Sequence, residues 1–169
     1  MAHGRLDQLW LMVSPGNPLK SADGMAPLAE RLASARRIAD GRRVIATDIE
    51  RSLHTAYTAN TLAALQRKFP CARFVWLMGA DNLTQLPKWG RWLSIVHRYP
   101  MLILPRPKET RQALAGLAVA RLKRHRLPAR SGVKLAGAPA PAWILLPGRE
   151  NPASATALRE VRKVEGGPS

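Results

Sequence analysis

The chain has 169 residues, 46% hydrophobic and 22% charged, which is enough for one α/β domain with a buried core and too apolar for wholesale disorder. No apolar run approaches the roughly 20 residues that a membrane-spanning helix requires, and the stretch from Met1 to Gln8 holds no apolar signal-peptide segment. The net charge of +16 excludes an acidic surface and attracts polyanions.

That charge is spread through every segment. Arg36-Arg37, Arg42-Arg43 and Lys123-Arg124-His125-Arg126 are only short clusters, and arginine far outnumbers lysine. A compositional origin covers most of it and leaves a phosphate-binding subset; neither nucleic acid nor a membrane is the expected partner. The lone Cys71 has no internal disulfide partner, so the expectation is a cytoplasmic protein. Cys71 sits at the start of an apolar run and is expected to be buried and inert. His54, His97 and His125 stand apart, with no Cys/His spacing that suggests zinc and no Ser-His-Asp grouping.

In chain order, Leu9 to Ser14 is an apolar run that ends in Pro15-Gly16-Asn17-Pro18, a buried strand followed by a loop that cannot be helical. Met25 to Ala39 carries Leu28, Leu32, Ala35 and Ile38 on one face and predicts a helix, with Ser21 or Asp23 as caps. Arg43 to Asp48 is a second strand. A helix is expected from Thr58, as N-cap, to Phe69. Phe74 to Gly79 is the third strand, apolar on both faces and so buried from both sides. Leu83 to His97 is helical with a break near Pro87, and Met101 to Leu104 is the fourth strand. A helix is expected from Lys108 to Arg126, a loop from Pro128 to Pro141, a fifth strand from Trp143 to Leu146 and a short helix from about Ser154.

Strand and helix alternate throughout, which predicts a doubly wound parallel sheet with helices on both faces. No internal repeat or linker divides the chain. The expectation is one domain over residues 1–165 and a disordered tail at 166–169. In such a sheet, ligands bind past the carboxyl ends of the strands, which is where Gly79 to Asn82 falls.

Five motifs stand in order: Val13-Ser14-Pro15-Gly16-Asn17-Pro18-Leu19-Lys20, Thr55-Ala56-Tyr57-Thr58-Ala59-Asn60-Thr61-Leu62, Trp76-Leu77-Met78-Gly79-Ala80-Asp81-Asn82, Trp89-Gly90-Arg91-Trp92 and Ser154-Ala155-Thr156-Ala157-Leu158-Arg159. Each alone is weak; together, over Leu6 to Arg159, they resemble bacterial nicotinate-nucleotide adenylyltransferase. The resemblance implies a Rossmann-like nucleotidyltransferase fold. It also implies transfer of an adenylyl group from ATP to nicotinate mononucleotide, giving deamido-NAD and pyrophosphate, with Mg²⁺ assisting and no covalent enzyme intermediate. Catalysis of that kind is mainly positioning and neutralisation of charge on phosphate oxygens.

One departure is large. The family opens with a strand leading into Gly-x-Phe-x-Pro-x-His-x-Gly-His, whose histidines hold ATP phosphates. This sequence has no such motif, and no catalytic residue is assigned from it. The expectation is that the family's first strand precedes Met1 in the natural protein, or that this is a truncated, weakly active or inactive relative that binds nucleotide or RNA. The Leu9 and Phe74 strands would then each lack a neighbour on one side.

By the same resemblance, Lys20, Arg106, Ser154, Thr156 and Arg159 are the ATP and phosphate ligands. Hydroxyls at a helix start and a guanidinium one turn on suit an anion, though an ordinary N-cap and a surface arginine have the same sequence. Tyr57, Thr58, Gly79, Ala80, Asp81, Asn82 and Trp89 are the nicotinate mononucleotide residues. The helix start at Tyr57 and Thr58 would bind the nicotinate carboxylate through backbone N–H groups. Asp81 would accept from ribose hydroxyls or cap the next helix. Trp89 would stack on the pyridine ring, and Trp92, three residues on and on the same helical face, would pack in the core. A sibling specific for nicotinamide mononucleotide or for pantetheine phosphate shares the expected fold; the tryptophan pair and the Tyr57 segment speak against pantetheine. The sequence leaves the oligomeric state open.

Overall fold

The elements follow from the apolar runs, and their order is β-α-β almost throughout. The structure, a computed structural model, describes residues 6–16 and 25–148. Strand β1 (Leu9–Met12) leads through a loop to α1 (Leu28–Ile38) and β2 (Val44–Thr47). A short helix α2 (Ile49–Ser52) and α3 (Thr58–Lys68) precede β3 (Trp76–Gly79). Then come α4 (Ala80–Gln85), a 3₁₀ turn at Leu86–Lys88, α5 (Trp92–Val96) and β4 (Met101–Leu104). Helices α6 (Glu109–Leu114) and α7 (Leu117–Leu122), 3₁₀ segments at Lys123–His125 and Ala129–Gly137, and β5 (Trp143–Leu145) complete the described residues.

All strand pairs are parallel, as β-α-β connections require. Among the described residues they form two sheets. β1 pairs with β2 from Leu9 opposite Val44 to Met12 opposite Thr47. The second sheet has the order β3-β4-β5, with Trp76 opposite Met101 and Met101 opposite Trp143. Among the described residues, β1 and β3 thus each pair on one side only, and residues of both line one cleft of about 2130 Å³. Trp10 reaches across it, its ring edge-to-face with Phe74 at 6.3 Å and with Phe69 at 5.4 Å.

The larger core lies on one face of the three-stranded sheet, where Met78, Met101, Ile103 and Trp143 pack against Leu83, Leu86, Val119 and Leu122. The buried indole of Trp143 donates to Leu122 O at 2.9 Å, so even the largest core side chain keeps its polar atom satisfied. On the other face Leu102 and Ile144 pack against Leu135. A third cluster joins Ala59 and Leu62 of α3 to Ile95 and Tyr99, and Tyr99 Oη donates to Leu62 O at 3.0 Å.

The chain departs from its sequence pattern in several places. The expected helix from Lys108 to Arg126 is two helices, because Gly116 is extended at the N-cap of α7 and a Cβ there would lie 3.1 Å from Ala113 O. α4 starts at Ala80 rather than Leu83, directly after the strand. α1 starts at Leu28, capped by Pro27 without a side-chain bond; Ser21 and Asp23 lie outside the described residues. The expected loop from Pro128 holds nine residues of 3₁₀ helix. Cys71 is exposed in the turn before β3, not buried, since the strand begins only at Trp76. No described helix is long and apolar enough to cross a membrane.

Candidate active site

The chain reverses at the end of β3 and enters α4 at once. Gly79 is the N-cap, and no side chain caps the helix. Asp81 stands in the first turn, where a carboxylate favours the positive end of the helix dipole. Its Oδ1 is buried, has no hydrogen-bond partner among the described residues and lies 3.8 Å from Arg106 Nε. Arg106 follows β4, so neighbouring strand ends bring the pair together. The approach is close: a Cβ on Gly79 would overlap Asp81 Oδ1 and sit 3.1 Å from Arg106 Nε. Thr110 folds back onto this loop, with Arg106 N donating to Thr110 Oγ1 at 2.7 Å.

The second half of the site is the start of α3. The N-cap is Tyr57, one residue before the expected Thr58, and no side chain bonds the free N–H groups. Thr58 cannot cap because it already has helical geometry. Tyr57 O accepts from Asn60 N at 2.9 Å and Thr61 N at 3.0 Å, so among the described residues only the amides of Thr58 and Ala59 are left for an acceptor from outside. The Tyr57 side chain is 52% exposed.

Trp89 and Gly90 come to the same place. The ring edge of Tyr57 would lie 3.8 Å from a Cβ on Gly90, and Tyr57, Thr58, Asn82, Trp89 and Gly90 all line the cleft. Trp89 and Trp92 do not share a helical face as expected. Arg91, with a left-handed φ of 58°, turns the chain between them; Trp89 precedes that turn and Trp92 opens α5. Both indoles are partly buried against the main core, and Trp89 also touches the Ala59–Tyr99 cluster.

Of the residues expected to bind nicotinate mononucleotide, Tyr57, Thr58, Asn82 and Trp89 therefore line one cleft, while Gly79 ends β3 and Ala80 and Asp81 open α4 beside it. Arg106 sits beside Asp81. Lys20, Ser154, Thr156 and Arg159 lie outside the described residues. The loop that precedes Lys20 is nonetheless anchored: Arg31 of α1 donates to Ser14 O at 2.7 Å, Pro15 O at 3.3 Å and Ala26 O at 2.9 Å.

The sequence of the cytidylyltransferase-like family matches residues 1–161. The chain belongs to this family. A member from Gluconobacter oxydans, named "Probable nicotinate-nucleotide adenylyltransferase", is 53% identical over 156 residues, 92% of this chain and 80% of that protein. One from Gluconacetobacter diazotrophicus with the same name is 52% identical over 159 residues, 94% of this chain and 74% of the relative. One from Brucella abortus is 41% identical over 158 residues, again 94% of the chain and 81% of the relative.

Within the cytidylyltransferase-like family, parallel strands with helices between them are what a Rossmann-like α/β fold requires, and this chain has them. The residue that the sequence did not single out is Glu50 of α2, which is buried beside the cleft and bonded to Thr61 of α3. A single glutamate outside any periodic pattern gives no signal; only the fold sets it against α3.

Proposed function

We propose that this chain transfers the adenylyl group of ATP to nicotinate mononucleotide in NAD biosynthesis. The observation that carries this is the 41–53% identity, over nine-tenths of the chain, to relatives named as nicotinate-nucleotide adenylyltransferases. The exposed, uncapped start of α3 beside the cleft supports it, because free N–H groups at a helix N-terminus favour an anion such as the nicotinate carboxylate.

In the reaction, a phosphate oxygen of nicotinate mononucleotide attacks the α-phosphorus of ATP. The new P–O bond forms as the bond to the β-phosphate bridging oxygen breaks, and pyrophosphate leaves with that electron pair. The chain's part is to hold the two phosphates in line and to offset their charge. Tyr57 and Thr58 bind the acid end, and Trp89 covers the pyridine ring. Gly79, Ala80, Asp81 and Asn82 hold the ribose. Arg106 contacts the ATP side together with Lys20, Ser154, Thr156 and Arg159. The Asp81–Arg106 contact then ties the two halves of the product across one strand end.

No described group of three or more His, Cys, Asp or Glu residues could hold a metal ion. Mg²⁺ would enter with ATP, as part of that substrate. On this reading the chain works in the cytoplasm as one domain over residues 1–165.

The test is to incubate this chain, and a form extended by in-frame upstream codons, with ATP, Mg²⁺ and nicotinate mononucleotide, and to follow deamido-NAD by mass spectrometry. Deamido-NAD with stoichiometric pyrophosphate is expected. If neither form makes it, the reading fails. Nicotinamide mononucleotide in a parallel arm is expected to be the poorer substrate; equal use would remove the role given to the α3 N-terminus.

A further inference from the structure

Glu50 is a buried acid that the reaction above leaves unused. It is 7% exposed and its partner Thr61 is 0% exposed. Glu50 Oε1 accepts from Thr61 Oγ1 at 3.1 Å. The same hydroxyl lies 2.9 Å from Thr55 Oγ1 and 3.2 Å from Tyr57 O. A threonine has one hydroxyl proton. Given to the carboxylate, it leaves Thr61 Oγ1 to accept from Thr55, and Tyr57 O keeps its two helix amides. Thr55 N also donates to Glu50 O at 3.1 Å. Glu50 thus grips both the strand of chain that enters α3 and the first turn of the helix.

Its other oxygen, Oε2, is buried with no hydrogen-bond partner among the described residues. Leaving a carboxyl oxygen unsatisfied is costly, and packing alone gives no reason for it. Glu50 lines the same cleft as Tyr57 and Thr58. Its reach into the turn that opens α3 runs through the two threonine hydroxyls.

We infer that Glu50 is a positioning residue. Through Thr61 and Thr55 it fixes the turn from Thr55 to Ala59, so that the free amides opening α3 hold the acid end of nicotinate mononucleotide. This rests on the adenylyl-transfer reading, and the experiment separates the two. In the active form of the protein, Glu50→Ala is expected to raise the KM for nicotinate mononucleotide about tenfold, with the KM for ATP and kcat changed less than about twofold. Glu50→Gln, which keeps an acceptor for Thr61, is expected to restore the KM to within about twofold of the natural value. In the unliganded protein, amide hydrogen exchange at Thr58 to Thr61 is expected to speed up in Glu50→Ala and not in Glu50→Gln. Where Glu50→Ala does not fold, the near-isosteric Thr61→Val carries the same expectations. Equal changes in both KM values, or a lower melting temperature with KM and exchange unchanged, overturn the inference. Absence of any deamido-NAD from the unmutated protein overturns the function instead. The exchange result on the unliganded chain then decides the role of Glu50 alone, and unchanged exchange refutes it.

Discussion

At Gly79 the absence of a side chain is a condition of the site. A methyl group there would overlap Asp81 Oδ1 and crowd Arg106 Nε. Both neighbours are side-chain ends, so they can swing away and the fold survives; the Asp81–Arg106 contact does not. Gly79→Ala is expected to raise the KM for nicotinate mononucleotide by roughly tenfold while the melting temperature falls only slightly, since misplacing positioning groups costs binding geometry rather than core packing. Thermal melting and steady-state kinetics on one preparation check both halves, and an unchanged KM refutes the crowding. Tyr99 shows the same logic in the core. Burial raises its pKa above the ordinary tyrosine value, offset in part by the Arg98 and Arg67 charges. The folded state therefore holds the phenolic proton more tightly. The stability this gives is complete below the ordinary tyrosine pKa and is lost as pH rises through the folded value, so the natural protein is expected to weaken in alkali more than Tyr99→Phe does. At neutral pH, Tyr99→Phe removes the second hydrogen bond to Leu62 O, a carbonyl inside α3, and is expected to cost about 0.5–1.5 kcal/mol by urea denaturation.

Asp40 has the opposite sign. Its Oδ1 accepts from the amides of Val44, Arg42 and Arg43 at 2.7–2.9 Å, and those bonds, Val44 first, hold its carboxyl below the ordinary aspartate pKa. Its contribution is present above the ordinary pKa and is lost as pH falls through the lowered one. Asp40→Ala is expected to melt at a lower temperature than the natural chain at pH 7, with the gap closing in acid; a gap independent of pH contradicts this. These three roles were only partly legible in the sequence. Gly79 stood out because it ends an apolar run. Asp40 and Tyr99 did not, because one turns on backbone amides and the other on a partner 37 residues away.

Among the elements, the strands were the easiest to read. Leu9–Met12, Met101–Leu104 and Trp143–Leu145 are continuous apolar runs with no polar face to obscure them; β4 and β5 are largely buried, whereas β1, expected to be buried, is only partly so because it lines the cleft. Helix boundaries were harder. The stripe of Leu114, Leu117, Ala118 and Leu122 keeps its period across Gly116, so periodicity alone hides the break that the tight turn at Gly116 imposes. α2 has four residues, too few to show a period at all. The turn holding Arg91 separated two tryptophans whose spacing suggested one face. Only contacts distant in sequence set the remaining details, and Arg31 is the clearest. From α1 it bonds three carbonyls, two of them in the loop after β1. Arg31→Ala is expected to destabilise the fold by about 1–3 kcal/mol, as for hydrogen bonds made by a charged group. It is also expected to raise the KM for ATP more than that for nicotinate mononucleotide, since Lys20 follows that loop. A larger effect on the mononucleotide contradicts the assignment of Lys20.

For the whole molecule, the organising feature is the cleft shared by two parallel sheets. β1 contributes one wall, β3 and the start of α3 the other, and Tyr57, Thr58, Asn82 and Trp89 line it. The sequence conveyed the alternation that makes such a molecule, because each β-α unit is local. It did not convey that the strands divide into β2-β1 and β3-β4-β5, because pairing between strands is not written in any one run. A surface of net charge +16 suits two phosphorylated substrates, and their encounter with it is expected to slow as salt is raised. The most direct measurement is the rate of deamido-NAD formation with nicotinate mononucleotide against nicotinamide mononucleotide, at equal ATP and Mg²⁺, with Glu50→Ala alongside. A clear preference for the acid is expected, shrinking about tenfold in the variant. No adenylyl transfer, or a preference for the acid that Glu50→Ala leaves intact, would contradict this expectation.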